Sequence, residues 1–148
     1  MASTCYTSVA LDVCLGNINF SADTFKMMLV NSSYAVDKDH TKRDQVTAFE
    51  VPATGGYTTG GGTFGVAPFG AVPAVTHDTT NNRIEIAFGD GVWSTSTITA
   101  RGAVIYKSRG GAASADNLVC YIDFGADYST AATEFRVVIS PPMRILNP

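Results

Sequence analysis

The sequence predicts a mainly β protein, an antiparallel β-sandwich or jelly-roll-like barrel with one short N-terminal helix and a long glycine- and proline-rich loop or arm. Three observations predict it. Short runs rich in Val, Ile, Phe, Tyr and Thr recur along the chain, each bounded by Gly, Asn, Asp or Ser clusters. Several of these runs alternate apolar and polar residues, the period of a strand with one wet face. Helical spacing appears only near the N-terminus. At 148 residues the chain is expected to form a single domain, 1–148, with enough length to bury a real core without staples.

Taken in order, Tyr6, Val9, Ala10, Val13 and Cys14 fall at helical spacing, with Ser3 or Thr4 available as N-cap and Gly16 as the stop. Residues 24–30 (TFKMMLV) form a compact apolar run of strand length and read as a central, buried strand, with Met27 and Met28 as gap-fillers. The charged stretch 34–45 reads as a loop with one helical turn over 41–46. In residues 52–73 lie seven of the fourteen glycines and three of the six prolines, interleaved with Tyr57, Phe64 and Phe69. Glycine and proline are the residues least compatible with a helix interior. This segment reads either as a pliable arm whose aromatics latch onto a neighbour or as a long packed loop.

Residues 74–76 and 83–88 (RIEIAF) read as a hairpin turned by DTTNN, with Ile84, Ile86 and Phe88 facing inward. Gly89-Asp90-Gly91 then leads into Val92-Trp93, whose indole is the natural core anchor. The stretch 94–99 is short and β-prone. A second hairpin spans 100–125, with apolar runs 103–106 and 118–124, and residues 126–133 read as a polar turn. In 134–140 (EFRVVIS) Phe135, Val137 and Ile139 share one side, Pro141-Pro142 ends that strand, and 143–146 can add a last short one.

Composition narrows the function classes. Charged residues are only 16% of the chain, against about 25% in an ordinary soluble domain, which favours protein contacts on several faces and an oligomer or assembly subunit. A net charge of −3 and the lack of any basic run beyond two residues argue against a nucleic-acid partner. The small basic cluster Lys42-Arg43 is a candidate contact point. No apolar run approaches the length that spans a bilayer and the N-terminus MASTCYTS has no positive n-region, so no membrane partner is expected and folding is expected in the cytosol of the cell that makes it. Cys5, Cys14 and Cys120 lack a C-x-x-C spacing and sit among apolar neighbours, which favours buried free thiols over a disulfide with one cysteine left over.

Catalytic constellations are not found. His40 and His77 lie in separate polar loops without metal-ligand spacing. Gly60-Gly61-Gly62 is followed by Thr63-Phe64 and so lacks the lysine of a phosphate-binding loop, and no Gly-x-Ser-x-Gly elbow exists. Among the carboxylates, Asp123 falls within a strand and is expected either to face solvent or to pair with Arg101 or Lys107 across the hairpin. The expectation is therefore a non-enzyme with no cofactor and no metal.

The stretches DTFKMMLV, AVDKDHTKRDQV and STITARGAVIYKSRGGAASADNLVCYIDFG resemble a family of small proteins encoded in tailed-bacteriophage structural gene clusters. The resemblance covers most of the chain and is weakest in 52–73 and after Ser140. It implies a virion structural protein, first of all a capsid decoration or cement protein on the capsid exterior. Its partners would be the major capsid protein or other virion subunits and further copies of itself, as a trimer or dimer. A tail, adaptor or baseplate subunit is the alternative within the virion, and a receptor- or carbohydrate-binding fibre module is the alternative of another class. Under the resemblance, the contacts would come from the N-terminal segment and the 52–73 arm, with Tyr57, Phe64, Phe69, Lys42 and Arg43 as candidate contact residues.

Overall fold

The computed structural model describes residues 2–146. Its elements are β1 (Ala2–Cys5), α1 (Ser8–Cys14), β2 (Phe25–Val30), β3 (Gly62–Thr63), β4 (Ala74–Asp78), β5 (Arg83–Ala87), β6 (Gly91–Ser96), β7 (Thr99–Lys107), β8 (Asn117–Ser129), β9 (Thr133–Val137) and β10 (Met143–Leu146). Three single-turn 3-10 helices occupy Arg43–Gln45, Thr47–Phe49 and Ala113–Ala115. All strand pairings are antiparallel, in a five-stranded sheet of order β1-β8-β7-β2-β3, a three-stranded sheet β10-β5-β4 and a two-stranded sheet β6-β9. None closes into a barrel, so of the two predicted architectures the sandwich is the one adopted.

The large sheet is covered on both faces, which is why its central strands read as unbroken apolar runs. Residues directly opposite in neighbouring strands share a face, so Met27, Ile105, Cys120 and Cys5 line one side, and Met28, Val104, Tyr121 and Thr4 the other. Against the first side pack the smaller sheets and the glycine-rich segment: Phe25 meets Phe88 edge to face at 5.8 Å, and Gly91 of β6 lies over the Met27 sulfur with no room for a Cβ. Against the second side pack Tyr34 and Tyr6, whose hydroxyls share a hydrogen bond of 2.8 Å, with Tyr34 edge-on to Tyr121 at 5.2 Å. Trp93 is the anchor it promised to be, contacting Phe69, Tyr57 and Phe135 at centroid distances of 4.9, 5.8 and 6.0 Å.

Several local expectations need correction. Residues 2–5, proposed to hold the helix cap, instead form β1 on the edge of β8, and the helix starts later, with Thr7 at its N-cap making no side-chain hydrogen bond. Strand pairing satisfies the backbone of residues 2–5, an option that local spacing does not reveal. Gly16 does end the helix, with φ of 74° and its amide bonded to the Val13 carbonyl. Residues 126–129, read as a turn, continue β8, and His77 lies in β4. Of the cysteines only Cys120 is buried; Cys5 and Cys14 are exposed, and all three are free thiols. Among the described residues no helix is long and apolar enough to cross a membrane.

Candidate protein-contact surface

The segment 52–73 is a packed loop, and this overturns Tyr57, Phe64 and Phe69 as contact residues. Phe64 packs on Phe88 at 5.1 Å and Phe69 on Trp93 at 4.9 Å, and all three aromatics are buried within the core cluster. The polar tip of Tyr57 is also satisfied internally: its hydroxyl donates to Glu50 Oε1 at 2.7 Å and accepts from the Leu29 amide at 3.1 Å. Burial, with the Glu50 carboxylate beside it, pushes the Tyr57 hydroxyl far above its usual range. The same carboxylate oxygen accepts the Gly60 amide at 2.5 Å, and Tyr106 donates to the Gly60 carbonyl at 2.7 Å. The glycines serve close approach. At Gly61, with φ of 71°, a Cβ would fall on the Met27 carbonyl, and at Gly62 it would fall on the Phe69 ring. The glycine density therefore reflects backbone running directly over a sheet.

Arg43 is likewise a structural residue. Its Nε donates to Asp116 Oδ2 at 2.8 Å and its guanidinium sits 4.9 Å from the centroid of the Tyr106 ring. Asp116, whose side chain is 1% exposed, also accepts the Arg109 amide at 2.8 Å. Although burial opposes it, the bond to Asp116 raises the Arg43 guanidinium above its ordinary value. Lys42 is half-buried, and its amide donates to Gln45 Oε1 at 2.9 Å while its backbone bridges to Asn117. The charges next to this turn are internally paired too: Lys107 Nζ contacts Asp23 Oδ2 and the Asn17 carbonyl, each at 2.7 Å, and Asn117 Nδ2 donates to Asp12 Oδ2 at 2.9 Å.

The expected pairing of Asp123 is present. Gly125 donates its amide to Asp123 Oδ1 at 2.8 Å and Arg101 Nε donates to the same oxygen at 3.1 Å, and both hold the carboxyl below its ordinary value. Its position is explained by a side-chain bond to the Gly125 amide, at the irregularity in the β7–β8 register, and by a cross-strand ion pair. No group of three or more His, Cys, Asp or Glu side chains is placed to hold a metal ion among the described residues.

The contact candidates that remain are apolar side chains that the fold leaves outside. Leu11 of α1 (60% exposed) and Leu15 at its C-cap (65% exposed) stand one helical turn apart. Val66 and Val72 are exposed on the rim of the 52–73 loop. At the far end of the molecule an open groove of about 540 Å³ separates the outer half of β8 from β9, lined by Phe124, Tyr128, Phe135 and Val137 with Glu134 and Arg136 on its rim. Beyond Asp123, β8 has left β1 behind and pairs with β7 again only at Tyr128 and Ser129, and β9 has only β6. Tyr128 stands at the groove mouth, 63% exposed, edge-on to Phe124 at 6.3 Å. The apolar stripe read at helical spacing, Tyr6, Val9, Ala10, Val13 and Cys14, leaves out Leu11 and Leu15, and which side of a short helix faces inward depends on the strand ahead of it. The groove has no sequence signal, because it arises where two consecutive strands join different sheets.

No protein-family model matches the chain, and neither the curated proteins nor the solved structures contain a match to it.

Proposed function

We propose that the chain is a bacteriophage virion structural protein, first of all a capsid decoration or cement protein that binds the outer shell and stabilises the head. The observation that carries this reading is the pair Leu11 and Leu15, two large apolar side chains held outward on a short helix of a charge-poor β domain. Exposed apolar pairs of this kind suit protein partners. Cementing adds buried area between subunits that are already assembled, and a bound partner stabilises the assembled shell by mass action. The contact elements in this reading are the outer face of α1 and the β8–β9 groove, in place of a flexible arm. The resemblance of 23–30, 35–46 and 96–125 to tailed-phage structural proteins points the same way.

The test is removal and add-back. Particles stripped of the protein should lose resistance to heat and osmotic shock and regain it when the purified protein is returned. The Leu11→Ser, Leu15→Ser double variant should bind particles at least tenfold more weakly while folding normally. Stripped particles as resistant as intact ones would refute the cement role and leave the tail or adaptor reading.

A second reading, a carbohydrate-binding fibre module, has one observation in its favour, the Phe124–Tyr128 pair in an open groove. The other aromatics that such a platform would use, Tyr34, Tyr57 and Phe64, are buried. Retention of a glycan on an array, abolished by Tyr128→Ala, would select this reading.

A further inference from the structure

The N-terminal strand brings two cysteines into direct opposition. In the β1–β8 ladder Cys5 is the cross-strand partner of Cys120, one residue before Tyr6, whose amide donates to the Val119 carbonyl at 3.2 Å. Hydrogen-bonded and non-hydrogen-bonded pairs alternate along an antiparallel ladder. With Tyr6 and Val119 bonded, Cys5 and Cys120 form a pair of the non-bonded kind. Such pairs hold their Cα atoms about 4.5 Å apart, inside the window of roughly 4.4–6.8 Å that a disulfide spans. Both side chains project from the same face of the sheet. One is exposed and the other buried, so an oxidant can reach Cys5 first and Cys120 is placed to complete the reaction.

We propose that Cys5 and Cys120 are a redox pair that closes to a cross-strand disulfide when the protein meets a small-molecule disulfide oxidant, pinning β1 to the edge of the large sheet. In the first step the Cys5 thiolate attacks one sulfur of the oxidant, oxidised glutathione for example. A mixed disulfide forms and one glutathione thiolate leaves. The Cys120 thiolate then attacks the Cys5 sulfur, forming the Cys5–Cys120 bond and releasing the second glutathione. Two thiol protons are lost and the oxidant is reduced to two thiols. Full burial raises the Cys120 thiol, and the side chains that partly cover Cys5 raise it as well, both above the ordinary cysteine value, so little thiolate is present at neutral pH and closure accelerates as pH rises. The bond would close a loop of more than 100 residues, the case in which a cross-link restricts the unfolded chain most. The inference is independent of the virion reading, since it rests on strand register alone.

The test uses the full chain, reduced and then incubated with oxidised glutathione at about pH 8.5. Three thiols should titrate in denaturant before oxidation, and afterwards a peptide map should join the segments carrying Cys5 and Cys120, with Cys14 either free or carrying glutathione. The oxidised protein should melt on the order of 10 °C higher, with the gain reversed by dithiothreitol. Cys14→Ser should oxidise to no free thiol, whereas Cys5→Ser, a change at an exposed position, should lose the intramolecular cross-link and the gain in melting temperature. A glutathione that stays on Cys5, a cross-link that involves Cys14, or a disulfide that leaves the melting temperature unchanged would overturn the proposal.

Discussion

Replacing Phe69 by alanine asks whether residues 52–73 belong to the core or hang from it. The ring is 8% exposed, lies edge-on to Trp93 at 4.9 Å and to Phe64 at 5.6 Å, and fills the space over Gly62. Truncating a buried phenylalanine costs about 3–5 kcal/mol, from lost transfer energy and the cavity left behind. Phe69 borders an open depression lined by Val92 and Thr63, so neighbours can relax into the gap, and the low end, about 3 kcal/mol, is expected. In a chain of this size that lowers the melting temperature by on the order of 10 °C. Urea denaturation followed by far-UV circular dichroism and Trp93 fluorescence measures it directly, with the midpoint falling and the slope unchanged. A loss below about 0.5 kcal/mol, the usual range for a surface change, would refute the packed loop and restore the arm.

Arg43→Ala should destabilise by about 3–5 kcal/mol, because it leaves the buried Asp116 carboxylate without its charge partner and with the Arg109 amide alone; the double variant Arg43→Ala, Asp116→Ala should recover part of that loss in the same urea assay. Tyr57→Phe should cost about 1–3 kcal/mol, since the Leu29 amide loses its acceptor and Glu50 loses a donor. Acid stability has a definite sign. Burial works against the Asp23 carboxylate, but its bonds to Lys107 and the Asn19 amide prevail and hold it below its ordinary value of 3.8. That contribution is fully present above pH 3.8 and disappears as pH falls through the lower folded value, so the melting temperature should decline below about pH 4, with a smaller decline in Asp23→Asn. At high pH the sign reverses: Tyr6, Tyr34, Tyr57, Tyr106 and Tyr121 are all raised above 10.0, chiefly by burial. Their contribution is present below pH 10.0 and lost above it, so spectrophotometric titration should show their tyrosinate absorbance appearing together with cooperative unfolding.

Strand periodicity carried the fold where local pattern and tertiary demand agree. In β5 Ile86 is buried and Ile84 half-buried, as alternation requires, and in β9 Phe135 and Val137 face the core. The unbroken apolar runs of β2 and β7 follow from burial on both faces. Reading failed where the deciding partner is distant in sequence. Nothing within residues 2–5 announces that β8 offers them an edge, and nothing within 52–73 announces that Met27, Trp93 and Phe88 lie beneath. Glycine density signals pliability in isolation but close packing once a sheet is supplied. Arg43 has the same origin: an Arg beside a Lys reads as a basic surface point until Asp116, 73 positions away, is brought against it. Asp123 was legible because its partner Arg101 lies across a single hairpin.

The central claim is where the molecule works, and a density map of purified particles tests it most directly. Copies of this β domain are expected on the outside of the shell, with Leu11 of α1 and Leu15 at its C-cap, or the β8–β9 groove, against capsid subunits. Density confined to the tail, or particles that lack the protein altogether, would contradict it.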